Sequence, residues 1–198
     1  MGKRHHIAAL IGLLTVFCAF ESLNAEVMVC VDKNSMRLTV CDDAVSSDTI
    51  ALFPISCGRG YGQKQKSGDM RTPEGEFHIT EIIDASSWGH DFGDGKGYIR
   101  HAYGPWFFRL SAGRGIGIHG THDPASMGYR ASEGCIRLRN EDLLEFKKLV
   151  HVGTKVVITP DRTEAIEQPA VDMIDVKPYA VRTIEYITEQ LKDKTIAL

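Results

Sequence analysis

At 198 residues the chain is long enough for one catalytic domain with appendages and too short for two full ones. With 43% hydrophobic and 25% charged residues, its composition excludes a disordered, collagen-like or multi-span membrane protein. A formal net charge of -3, with no basic stripe carrying interleaved aromatics, leaves out the electrostatic footprint of a nucleic-acid binder.

Lys3 and Arg4 precede an apolar run over 7–20, and a polar stretch then ends at Leu23-Asn24-Ala25, the three-part plan of a secretory signal. The run is short for a bilayer span, which takes about 20 apolar residues. Cleavage after Ala25 is expected, an uncleaved anchor being the alternative, and the mature protein is assigned to an exported, periplasmic or cell-envelope location. Loss of Lys3, Arg4 and Glu21 moves the formal charge from -3 to -4. Cys30, Cys41, Cys57 and Cys135 then remain, in a compartment where disulfides persist. Cys30 and Cys41 are the obvious structural pair. With Asp32-Lys33-Asn34-Ser35 as a hairpin loop, however, Cys30 faces Arg37 and Cys41 lies several residues off, which argues against the bridge.

β-branched and apolar runs over 27–31 and 36–41 predict that hairpin, and 49–56 and 76–83 read as further strands. The segment 57–75 between them, rich in glycine and charge, is a long loop of the kind that carries function. A second glycine-rich loop over 88–97 precedes strands over 104–110 and 115–118, with His119 at the end of the last. Asn140 is expected to N-cap a helix from 141 to about 152, with acids in its first turn, Lys147 and Lys148 late, and Gly153 as its stop. Leu143, Phe146 and Val150 form its buried stripe. A strand over 155–158 and Pro160 close the compact domain. In 161–198, Pro169 and Pro178 punctuate a linker, and Val181, Ile184, Ile187 and Leu191 recur at helical spacing. The chain thus divides into a signal over 1–25, a catalytic domain over 26–160, and a linker with a C-terminal helix over 161–198.

Chemistry concentrates in Gly115-Ile116-Gly117-Ile118-His119-Gly120-Thr121-His122 and in Ser132-Glu133-Gly134-Cys135-Ile136-Arg137. A thiol with the usual pKa of about 8.5 is only a few per cent ionised at neutral pH, so a catalytic cysteine needs a basic or cationic neighbour. His119 and Arg137 are the candidates. Gly134 would let a substrate carbonyl approach the backbone, and neighbouring N–H groups would hold an oxyanion. Together these residues suit acyl transfer through a Cys135 thioester, with His119 shuttling the proton. A zinc site on His119, His122 and Cys135 is the alternative, but no helix holds the two histidines together and a fourth ligand is not evident. Aromatic residues Tyr103, Trp106 and Phe107 read as core.

Three blocks carry a specific resemblance: Arg71-Thr72-Pro73-Glu74-Gly75-Glu76-Phe77, Ile118-His119-Gly120-Thr121, and Ser132 to Leu138. Over roughly 26–160 the chain resembles an L,D-transpeptidase catalytic domain of the YkuD type. That resemblance implies a mainly β fold with minor α content, a sandwich or barrel with one helix after the cysteine block. It implies Cys135 as nucleophile and His119 as base, with Ser132, Gly134 and Arg137 shaping the site. Gly120, Thr121 and Arg137 are assigned to substrate binding, Arg137 either taking a stem carboxylate or bracing the catalytic loop through backbone carbonyls; bracing is favoured. Neither metal nor other cofactor is expected. The expected partners are peptidoglycan stem peptides as donor and acceptor, or an envelope protein as acceptor, and no nucleic acid. Many members carry His where this chain has Glu133. A transpeptidase, an L,D-carboxypeptidase and a non-catalytic wall-binding module are the readings left open.

Overall fold

The computed structural model describes residues 26–43, 48–113 and 115–162. The expected signal peptide and the C-terminal helix lie outside them. Twelve strands and one α-helix make up the described fold, which is mainly β. The strands are β1 (Val27–Asp32), β2 (Arg37–Asp42), β3 (Thr49–Pro54), β4 (Cys57–Gly58), β5 (Gly75–Asp84), β6 (His90–Asp91), β7 (Tyr98–Ile99), β8 (Trp106–Leu110), β9 (Gly117–His119), β10 (Arg130–Ser132), β11 (Ile136–Arg137) and β12 (Lys155–Ile158), with α1 (Asn140–Leu149) before the last.

Eight strands form one sheet in the order β11-β9-β8-β5-β12-β1-β2-β3. Alternating apolar residues make its inner face: Val29, Val31, Leu38, Val40, Ile79, Phe108, Leu110, Ile118, Val156 and Ile158 are buried. Just beyond β3, Ser56 exchanges both backbone hydrogen bonds with Arg137 of β11, at 3.0 and 2.8 Å. The two ends of the sheet therefore meet, and the sheet curls into a partly closed barrel. Helix α1 packs onto it: Phe146 lies edge-on against Phe53 and Phe108, at centroid distances of 6.3 and 5.1 Å, with Leu143 and Val150 also buried as the stripe predicted.

The hairpin register departs from the expected one. Asp32 pairs with Arg37 and Cys30 with Thr39, so the loop is Lys33-Asn34-Ser35-Met36. Cys41 then sits diagonally across from Cys30 on the same face, with the sulfurs 3.9 Å apart and both thiols free. Sequence reasoning had placed them farther apart because it closed the turn one residue early; Met36, at φ 52°, takes the left-handed turn position instead. Helix α1 also differs at both ends. Arg139 occupies the N-cap position, Asn140 is already helical, and the helix stops at Leu149, before Gly153. The short strands β4, β6, β7, β10 and β11 carry too few residues to show a period of two and were not anticipated.

Candidate active site

The register β9–β11 builds the centre of the site. The two strands run parallel, Ile136 opposite Ile118 and Arg137 opposite His119, so the end of the histidine strand lies beside the start of the strand that follows Cys135. His119 is buried between aromatic rings. Phe107 stacks nearly parallel to it at 5.6 Å and Tyr103 lies tilted at 4.8 Å. These two residues, expected in the core, thus also hold the imidazole. Its Nδ1 lies 2.6 Å from the Gly120 carbonyl, and because a carbonyl only accepts, Nδ1 carries the proton and Nε2 is left as an acceptor. Burial, joined by the Arg137 charge, lowers the His119 pKa to about 3.

Cys135 is half-buried, its Sγ 3.2 Å from the Gly115 carbonyl. Burial pushes the thiol up to about 11, against a backbone hydrogen bond from Gly117 and the positive charges of Arg137 and Lys64. The resting pair is therefore a neutral thiol and a neutral imidazole. Ser132 ties the turn before Cys135: its Oγ donates to the Cys135 carbonyl at 2.5 Å and accepts from Gly134 N–H at 3.1 Å. That N–H is thus engaged inside the turn, not directed to an oxyanion. The absent side chain at Gly134 likewise makes room for protein, since a Cβ there would stand 2.8 Å from the Arg71 carbonyl oxygen.

A cavity of about 260 Å³ opens on Cys135 and His119, walled by Lys64, Met70, Phe92, Glu133 and Arg137. The 57–75 loop supplies Lys64 and Met70, and the 88–97 loop, folded as the β6–β7 hairpin, supplies Phe92. Arg137 is 5% exposed, its guanidinium 5.1 Å over the Phe92 ring, and its Nε finds no hydrogen-bond partner among the described residues. Backbone bracing by its side chain, the favoured expectation, is not what the described geometry contains; Arg137 braces only through its own peptide group. Gly120 and Thr121 do not line the cavity. Thr121 is buried with its Oγ1 accepting from Asp123 N–H at 3.0 Å, and Gly120 orients His119. His122 turns away to stack on Phe92 at 5.3 Å, and no cluster of three potential metal ligands occurs among the described residues.

Residues 26–158 match the family model of the YkuD L,D-transpeptidase catalytic domain. The chain belongs to this family. It is 47% identical over 140 residues to a putative L,D-transpeptidase YkuD of Bacillus licheniformis, covering 71% of this chain and 68% of the relative. It is 33% identical over 147 residues to a putative L,D-transpeptidase YqjB of Bacillus subtilis, covering 73% and 77%. An L,D-transpeptidase from Mycobacterium tuberculosis H37Rv, solved by X-ray crystallography, shares the fold with a TM-score of 0.51 at 21% identity, covering 68% of this chain and 57% of that one.

Two residues that sequence reasoning did not place in this L,D-transpeptidase site emerge beside it. Asn140 Oδ1 accepts from Thr121 N–H at 2.9 Å and so pins the histidine loop rather than capping α1. Gly104 lies against Gly120, where a Cβ would meet the Asn140 side chain and the Gly120 Cα at 2.3 and 2.7 Å. The Glu133 carboxylate turns to His90 Nε2 at 3.1 Å, with Arg59 at 3.9 Å. Its charge still adds to the upward push on the Cys135 thiol. Glu133→Gln is accordingly expected to speed alkylation of Cys135 by iodoacetamide severalfold at fixed pH, and Arg137→Ala to slow it; mass mapping of the Cys135 peptide against time gives both rates.

Proposed function

We propose that this chain is an exported L,D-transpeptidase that joins peptidoglycan stems through a thioester on Cys135. The supporting observation is the meeting of Cys135 and a tautomer-fixed His119 on one cavity, with the orphaned Arg137 Nε in its wall. His119 Nε2 takes the thiol proton as Sγ attacks the carbonyl carbon of the residue before the terminal D-alanine. The carbon–nitrogen bond breaks, D-alanine leaves with that proton as the free amine, and the acyl group stays on Sγ. An acceptor amine then attacks the thioester, yields its proton to His119, and releases Cys135 as the thiol. Arg137 supplies a forked donor for a stem carboxylate, whose arrival relieves its unpaired nitrogen.

Transfer is favoured over hydrolysis because a second cavity, of about 450 Å³, adjoins the first and shares Tyr103 and Gly115 with it. Its aromatic walls, Trp88, Tyr98 and Phe107, give room for a second stem next to the nucleophile. The test is mass spectrometry of products from a defined tetrapeptide-stem muropeptide, using the 26–198 protein and its Cys135→Ala variant. A cross-linked dimer from the unmutated protein alone supports the reading. A tripeptide stem as sole product, even with excess acceptor, replaces it by a carboxypeptidase, and equal products from both proteins remove Cys135 from the chemistry.

A further inference from the structure

Remote from the sulfur, four charged side chains converge in the interior: Lys33 from the β1–β2 turn, Glu74 before β5, Arg130 at the start of β10, and Asp161 just after the end of β12. Lys33 is buried, and the side chains of Arg130 and Asp161 are 5% and 6% exposed. Lys33 Nζ lies 2.7 Å from Glu74 Oε1 and 3.1 Å from Asp161 Oδ2. The other oxygen of Asp161 pairs with Arg130 Nη2. Asp161 also accepts from Gly62 N–H at 2.6 Å and donates its own N–H to Glu74 Oε1 at 3.0 Å. Burial by itself would raise the Asp161 carboxyl, but Gly62, Lys33 and Arg130 outweigh it and hold it below the usual range. Two cations and two carboxylates balance.

Two of these ties, to Gly62 and to Arg130, run toward the cavity. Gly62 belongs to the loop that brings Lys64 and Met70 to the cleft. Arg130 Nη1 grips the carbonyls of Gly58 and Gly60 at 3.2 and 3.1 Å, and its guanidinium lies 4.0 Å over the Tyr61 ring. The strand that Arg130 opens ends in Ser132, whose carbonyl accepts from Arg59 N–H at 3.0 Å and whose hydroxyl holds the Gly134–Cys135 turn. One carboxylate therefore joins the stem of the cleft loop to the strand that delivers the nucleophile.

We propose that Asp161, beyond the family-matched region 26–158, is a positioning residue for Cys135 and for the 57–75 wall of the cleft. This rests on Cys135 being the nucleophile. Removing the carboxylate leaves Lys33 and Arg130 buried with Glu74 alone, and a buried charge without its partner forces rearrangement. Arg130 then moves outward with the Gly58 and Gly60 carbonyls, and β10 shifts with it. Displacements of about 1 Å at a reacting group cost about 10²-fold in rate.

The test compares the full chain with its Asp161→Asn and Asp161→Ala variants, with Leu143→Ala as a destabilised control whose side chain packs in α1 away from the cluster. All are assayed at a temperature where circular dichroism shows them folded. Asp161→Ala is expected to lower kcat for the muropeptide and the alkylation rate of Cys135 by at least about tenfold, with KM changed much less. Asp161→Asn, which keeps an oxygen for Gly62 N–H, falls between, and Leu143→Ala stays near the unmutated rates. Should the Asp161 variants fail to fold, Arg130→Lys keeps the charge, cannot span both glycine carbonyls, and is expected to show the same loss. Folded Asp161 or Arg130 variants with unmutated kcat and alkylation rates would overturn the proposal. A fully active Cys135→Ala protein would instead overturn the catalytic reading beneath it.

Discussion

Replacing His119 by alanine is expected to slow acylation of Cys135 by about 10²- to 10⁴-fold, the usual contribution of a positioned general base. The effect should be large here because the thiol, at about 11, is almost wholly protonated at neutral pH, so no standing thiolate substitutes for the base. Intact-protein mass spectrometry under single-turnover conditions measures it. An ion pair would give a different result: there, losing the histidine would mainly move the pH profile of alkylation. The same residue adds a slope to acid stability. Its folded pKa is about 3 against an ordinary 6.5, so between those values the unfolded chain binds a proton that the folded chain refuses. Its stabilising contribution is complete above pH 6.5 and is lost as the pH falls toward 3. That slope amounts to at most about 1.4 kcal/mol per pH unit and should vanish in His119→Ala. Denaturant titrations at pH 7, 5 and 4 compare the two; parallel slopes would mean that His119 titrates freely in the native protein.

Gly134→Ala carries the second large effect. The residue sits at φ +134°, where L side chains are strained, and the new methyl would meet the Arg71 carbonyl oxygen at 2.8 Å and Ile116 Cδ1 at 3.3 Å. Backbone strain of this kind costs about 1–3 kcal/mol, and a carbonyl belonging to the neighbouring segment has little freedom to retreat. The turn must then shift, and Cys135, next in the chain, shifts with it. The expected result is a lowered Tm together with a fall of about 10²-fold in kcat/KM in the protein that remains folded. Gly153→Ala separates strain from contact, since Gly153 has φ +99° with nothing within 4 Å of the added methyl. It should lose stability and keep activity. Equal losses of activity in both variants would show that the Arg71 contact is irrelevant.

The legible part of the site and the illegible part differ in the range of the interactions involved. His119, Cys135 and Arg137 stood out because their chemistry is local: a base, a thiol and a cation in two short blocks, the first two each next to a glycine. The partner of His119 was not visible as a residue type, because it is the backbone carbonyl of Gly120, and every residue has one. Asn140 was read as a cap because that is where such a residue stands before a helix. Its side chain instead reaches Thr121, 19 positions earlier, once β9 lies beside the start of α1. Glu133 offered a charge of unknown direction until the β6–β7 hairpin brought His90 to it.

What the sequence by itself determined is whatever repeats or clusters along the chain. Short β-branched and apolar runs made β1, β2, β3, β5, β8 and β12 recognisable, helical spacing placed Leu143, Phe146 and Val150 on one face, and the three motif blocks pointed to the family. Tertiary structure alone decided the rest. It set the closure of the sheet by Ser56 and Arg137, the diagonal approach of Cys30 and Cys41, the burial of His119 beside Cys135, and the convergence of Lys33 on Asp161 across 128 positions. The physical reason is common to them. Propensity and periodicity act over a few residues, whereas register, burial and charge pairing are settled when distant strands meet, and each of those features depends on which strand lies next to which.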